Sequence, residues 1–314
     1  MTCTLPAERY NAALEFLKTA GFPLVTLDSL PADASFRSYH RLKDKNLLLM
    51  NAPPGVEDIR PFVAVAEILS KLGFAAPTLH AVDAERGFVL LEDFGSGTFT
   101  NILTAENERP LYTLALSVLA ALQEKTAGAA LPLPPYDLAV LQREVNLLVE
   151  WPAPLADTAR AGYTALWLPL LNAVATPQKP VLVLRDYHVD NLMLRAEKEG
   201  LARCGLLDFQ DALLGHPAYD AVSLLQDARR DVPEVLEQDF LRDKDAAYTR
   251  AYSILGAQRA AKIIGIFHRL NVRDGKPKYL HHIPRTWGYL RRNLLRLGAD
   301  GQPLMNFLNR EFPL

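Results

Sequence analysis

An aspartate and an asparagine five residues apart, Asp186 and Asn191, lie in the segment Val181-Leu-Val-Leu-Arg-Asp-Tyr-His-Val-Asp-Asn-Leu-Met-Leu194, and a second apolar run, Cys204-Gly-Leu-Leu-Asp-Phe-Gln210, follows with Asp208 inside it. Two carboxylates and one amide are the groups that phosphoryl transfer to a hydroxyl requires. One acid accepts the proton of the attacking hydroxyl, while the amide and the second acid hold the Mg²⁺ ions that bridge the phosphates of ATP. The chain has no other Asp-x-x-x-x-Asn, but chance alone supplies about one such pair in a chain of this length, so its framing decides. Both segments are bounded by apolar runs that read as strands. A loop that leaves one strand at Asp186 and enters the next at Asn191 turns both side chains to one point, and Asp208 falls at the end of a buried strand. Asp186 is therefore the candidate base, and Asn191 and Asp208 are the candidate metal ligands.

The elements that must position these groups divide into a small mixed lobe, 1–94, that binds nucleotide, and a larger, mainly helical lobe, 95–314, for catalysis and the acceptor: an α+β architecture. A helix near Glu8–Thr19 stops at Gly21, and Ser35–Leu42 and Asn46–Met50 alternate as strands. Pro61–Leu72 carries an apolar stripe at Phe62, Val65, Ile68, Leu69 and Leu72 and closes at Gly73. Leu79–Val82 and Gly87–Leu91 are two more strands, leading into the connection Glu92-Asp-Phe-Gly95. Helical periodicity then dominates, over Leu111–Lys125, Leu138–Val149, Tyr163–Val174, Ala218–Arg229 and Ala257–Leu270. The proline clusters at 131–135 and 151–154 read as loops between helices.

Composition agrees with a soluble enzyme of a reducing cytoplasm and adds little more. With 34 basic and 36 acidic residues the formal net charge is −2, which gives no broad surface for nucleic acid. Two cysteines, Cys3 and Cys204, do not make a disulfide framework. Neither a signal peptide nor a membrane-spanning run is legible.

The chain resembles the aminoglycoside-phosphotransferase-like branch of the protein-kinase-like fold, and within it the bacterial kinases that phosphorylate N-acetylmuramate and N-acetylglucosamine at the anomeric hydroxyl. The resemblance rests on Ala34-Ser-Phe-Arg-Ser-Tyr39, Met50-Asn-Ala-Pro-Pro54, Leu90-Leu-Glu-Asp-Phe-Gly95, the Asp186 loop, Leu207-Asp-Phe-Gln-Asp-Ala-Leu-Leu-Gly-His-Pro-Ala-Tyr-Asp220 and Tyr279-Leu-His-His-Ile-Pro-Arg285. It implies a two-lobed fold, ATP and Mg²⁺ as cofactors, and peptidoglycan recycling as the setting. Adenine would lie in the cleft between lobes, against the backbone of Leu91, Glu92 and Asp93. The phosphate-covering loop of the family is rich in glycine, whereas Asp33–Arg37 has none, so Ser35 and neighbouring amides are expected there. The family's strand lysine, which meets the α- and β-phosphates, is replaced by Met50. Arg37 is the candidate replacement, because a guanidinium binds phosphate bidentately, with an outward-facing surface arginine as the equal alternative. Glu67 is either the acid that would have fixed such a lysine or a solvated helix-face residue.

Acceptor candidates in the second lobe are Asp211, His188, Glu150, Trp151, His216, Arg269 and Arg285. Each has a plainer alternative: His188 as a loop brace, Trp151 as core, Asp211 as a turn cap, Arg285 in a structural ion pair. Asp220 could open the helix that begins at Ala221. Adjacent His281 and His282 diverge and complete no zinc site. The arginines 285, 291, 292 and 296 alternate with leucines as in a docked helix with a solvated face. Two other functions fit less well: a kinase of an aminoglycoside or another amino sugar, and a nucleotide-binding pseudokinase that has lost its lysine. The retained Asp186 argues against the second.

Overall fold

The computed structural model describes residues 5–31, 36–152 and 155–313, so Ser35 and Cys3 lie outside the described residues. In chain order it begins with α1 (Ala7–Thr19), β1 (Leu27–Ser29), β2 (Ser38–Leu42), β3 (Leu47–Asn51), α2 (Arg60–Lys71), β4 (Leu79–Asp83) and β5 (Phe88–Glu92). There follow α3 (Phe99–Ile102), α4 (Glu108–Thr126), α5 (Leu138–Glu150), α6 (Asp157–Ala175), β6 (Val181–Val183), β7 (Leu192–Leu194), β8 (Cys204–Leu206) and β9 (Leu213–Gly215). The chain closes with α7 (Ala218–Leu225), α8 (Glu234–Leu241), α9 (Ala246–Val272), α10 (Ile283–Arg296) and α11 (Gln302–Glu311). Contacts divide these into two units, Met1–Val118 with Val189–Asp211, and Leu119–His188 with Ala212–Leu314.

The first unit is built on a five-stranded antiparallel sheet in the order β1-β2-β3-β5-β4. Leu42, Leu49, Phe88 and Leu90 send their side chains to the face covered by Ala13, Phe16 and Leu17 of α1. Helix α2 starts with proline inside its first turn, where no amide hydrogen is needed, and buries Phe62, Val65, Ala66 and Leu69. The β7–β8 hairpin belongs to this unit: Leu206 N donates to Ala75 O at 2.8 Å and Leu194 N to Gly97 O at 2.9 Å. The strand expected over Ser35–Leu42 is seen as β2 from Ser38 on, with Ser35 outside the described residues.

The second unit is helical, with α9 packed on α5, α6, α7 and α10. Two glycines let α9 approach its neighbours closely. A Cβ at Gly265 would stand 2.3 Å from the Leu147 backbone of α5, and one at Gly256 would meet the Asn293 amide of α10 at 2.5 Å. Helix α9 begins eleven residues before the expected Ala257, because Asp245 caps it by accepting from Tyr248 N at 2.7 Å. Helix α7 instead stops at Leu225, short of the expected Arg229. There Gln226 turns its amide to Glu237 and Asn293, and Asp227 accepts its own loop amide, Arg229 N, at 2.8 Å. Helix α10 is docked through Trp287, Leu290 and Leu294, but Arg292 and Arg296 do not form a solvated face: both reach the buried Glu237, at 2.6 and 2.9 Å. Among the described residues no helix is long and apolar enough to cross a membrane.

Candidate active site

In the second unit, β6 delivers the chain to Leu184 and the loop is then held from below. The Asp220 carboxylate accepts the amides of Leu184 at 2.6 Å and Arg185 at 2.9 Å. Asp220 therefore does not cap its helix, as the sequence suggested; it lies inside the first turn of α7 with its carboxylate committed to the loop. Arg185 has φ +70°, a conformation costly for a side chain with a Cβ, and it persists because both flanking amides are fixed. Burial drives the Asp220 carboxyl up to about 7, against the pull of those two amides, and the neighbouring Asp186 charge adds to the rise.

Asp186 itself is ringed by cations. Burial would raise its carboxyl, but Lys262, His188, Arg259 and Arg185 outweigh this and hold it below the usual carboxylate range. It is thus an anion at neutral pH, the state a proton acceptor needs. Behind it lies a buried network centred on Glu144 of α5. Its carboxylate receives the Tyr136 hydroxyl, the Arg185 guanidinium, Lys262 Nζ at 2.9 Å and Gln258 Nε2 at 2.9 Å. Burial opposes its charge, yet Lys262 and Arg185 bring the carboxyl down to about 2. Glu144 and Lys262 were not singled out from sequence. The available signal was a single acid in the apolar stripe Leu141, Val145, Leu148, and a lysine among Ala261, Ile264 and Gly265.

In the first unit, β7 and β8 pair in the register Leu192↔Leu206, and Leu207 N donates to Asn191 O at 3.0 Å. This sets the Asn191 amide 3.5 Å from the Asp208 carboxylate, beside Gln210 Nε2 at 3.0 Å. Asp208 takes φ +55°, which turns its side chain out of the strand, where it is 48% exposed. Phe209, next to it, is fully buried and stacks on Phe62 of α2 at 5.1 Å. A carboxylate and an amide that supply only oxygen donors, one of them solvent-accessible, fit Mg²⁺, which prefers few protein oxygens and completes its shell with water and phosphate.

Arg37 reaches the same place. Its Nε lies 3.1 Å from Glu57 and its Nη2 3.8 Å from Asp208. Glu67 does not take part in this ion pair; it is exposed on α2 and pairs with Lys71 at 3.4 Å. In the connection after β5, the amides of Glu92 and Asp93 donate to Thr78 O and Asn46 O. The Glu92 side chain binds Arg195 at 2.6 Å and that of Asp93 binds Arg41 at 2.5 Å, so these side chains hold the connection in shape. Leu91 is buried.

The acceptor candidates separate. His188 is buried, its Nε2 accepting from Arg229 at 3.1 Å, and burial followed by the Arg229 charge lowers its pKa. His216 accepts the Ala218 amide at 3.1 Å at the start of α7. Arg285 forms a two-point ion pair with Asp231 at 2.6 and 2.9 Å, the structural alternative weighed above. Glu150 and Asp211 are exposed, while Trp151, half-buried, ends α5. Arg269 is half-buried on α9, with Arg273, Asp274 and Glu150 in its electrostatic surroundings.

The small antiparallel sheet of the first unit and the helical second unit are those of the two-lobed, protein-kinase-like α+β fold, and the chain's relatives mark it as an ATP-dependent phosphotransferase. The chain belongs to the phosphotransferase enzyme family (APH), whose sequence model matches residues 26–254. It is 36% identical to an N-acetylmuramate/N-acetylglucosamine kinase of Caulobacter vibrioides, over 91% of this chain and 93% of that one. It is 38% identical to the protein of the same name from Pseudomonas putida, over 85% and 83% of the two chains. In fold it is similar to wild-type aminoglycoside 2'-phosphotransferase-IIIa, solved as a GDP complex, with TM-score 0.63 at 14% identity over 90% of this chain and 98% of that one.

Proposed function

We propose that this phosphotransferase converts N-acetylmuramate and N-acetylglucosamine to their 1-phosphates, in the cytoplasm, during recycling of peptidoglycan. The similarity to the two sugar kinases over most of the chain carries the choice of substrate. Asp186, kept ionised by its cationic surroundings, orients the anomeric hydroxyl and accepts its proton. As the new oxygen–phosphorus bond forms, the bond from the γ-phosphorus to the bridging oxygen breaks and ADP leaves. Asn191 and Asp208 would hold Mg²⁺, which when bound supplies charge to the phosphate oxygens. The backbone from Leu91 to Asp93 would receive adenine, and Ser35 with Arg37 the phosphates.

The test is a panel of sugars and aminoglycosides incubated with Mg-ATP, with products assigned by mass and NMR. N-acetylmuramate and N-acetylglucosamine should each give a 1-phosphate, whereas their methyl glycosides, which lack the nucleophile, should be inert. Turnover of a methyl glycoside would move the reaction to another hydroxyl, and preference for an aminoglycoside would reassign the substrate.

A further inference from the structure

The side chain of Arg37 is only 8% exposed, although it sits at the head of β2 beside a carboxylate that is half in solvent. A guanidinium withdrawn this far from water needs fixed partners. Glu57 takes its Nε at 3.1 Å, and Tyr39 lies in the electrostatic surroundings of the guanidinium. Nη2 is directed to Asp208, 3.8 Å away. Glu57 has its own anchor: the amides of Val56 and Glu57 both donate to Pro53 O, at 3.2 and 3.1 Å, in a turn that places Gly55 at φ +80°. Met50, across the ladder from Tyr39, is fully buried and offers no charge.

We propose that Glu57 is a positioning residue for the nucleotide: it holds Arg37 with one guanidinium edge turned to the phosphates, so that the Glu57–Arg37 pair does the work of the absent strand lysine. This rests on the reading of Asp208 as the acid at the phosphates. The pair has no net charge, so what it offers a phosphate is direction. The long side chain has surrendered its rotamer freedom before the ligand arrives, and its donors are already set. A Glu57 that merely neutralised Arg37 would weaken ATP binding, and its loss would strengthen it. A Glu57 that positions Arg37 has the opposite effect, which makes the two roles separable.

The experiment is calorimetry of Mg-ATP and of adenosine, without sugar, on wild type, R37A, E57Q and the double variant. Glu57→Gln is isosteric, and adenosine affinity reports whether the nucleoside site remains intact. Expected is a loss of about tenfold or more in Mg-ATP affinity for R37A and for E57Q, the scale of a charge-assisted hydrogen bond, with adenosine unchanged. In the R37A background, E57Q should cost nothing further. Mg-ATP bound by E57Q as tightly as by wild type or more tightly, additive losses in the double variant, or an equal loss for adenosine would each overturn the proposal. Because no sugar is present, a wrong acceptor assignment leaves these outcomes unchanged. The Asp208 reading has its own test in D208A.

Discussion

Lys262 Nζ stands 2.9 Å from the Glu144 carboxylate, with both side chains nearly sealed from water. The same acid takes Arg185 and the hydroxyl of Tyr136, so one buried anion is shared by two cations at the base of the loop that carries Asp186. Removing one member leaves the others desolvated and uncompensated.

Glu144→Gln should therefore cost about 3–5 kcal/mol of stability, the range for breaking a buried pair from one side, read by urea denaturation near pH 7. The sign with pH follows from a carboxyl lowered from 4.5 to about 2. Its contribution is complete above the unfolded value and lost as pH falls through about 2. The gap between wild type and variant should be constant from pH 5 to 8 and narrow only under strong acid.

Asp220 has the reverse sign. Its carboxyl is raised from 3.8 to about 7, so the stability linked to its protonation is complete below the unfolded value and lost as pH rises through about 7. Denaturation of wild type and Asp220→Asn at pH 5 and pH 8 should show a larger difference at the lower pH. Equal differences would mean that this carboxylate is already ionised in the folded protein at pH 5.

Asp186→Asn should lower kcat by about two to four orders of magnitude, the usual scale of a general base, with Mg-ATP affinity little changed. Near-normal turnover in steady-state assays would remove Asp186 from the proton-accepting role.

Asp208→Ala should abolish the Mg²⁺-dependent part of ATP binding along with turnover. Titration calorimetry with and without Mg²⁺ reads this directly, and an unaltered Mg-ATP affinity would count against Asp208 as a metal ligand.

Elements with a strong period were legible in the sequence. The stripe of α2 and the apolar strands β3 and β5 fall within a residue or two of where periodicity put them, because burial on one face of the element leaves its mark at 3.6 or 2 residues. Asn191 and Asp208 were legible as a pair, since a short hairpin fixes their register. What escaped was long-range polar pairing. Glu57 and Arg37 are twenty positions apart, and Glu144 and Lys262 are separated by more than a hundred. No local period links such partners. The end of α7 was misplaced for the same reason: Gln226 leaves the helix for Glu237 and Asn293.

Arg185 precedes the proposed base, and its counter-charge, Glu144, is written into the chain. In kinases whose activation segments are ordered by phosphorylation, an arginine acquires its anionic partner only when another enzyme adds one. Here the partner is present from translation onward, and the loop needs no covalent signal to neutralise its arginine.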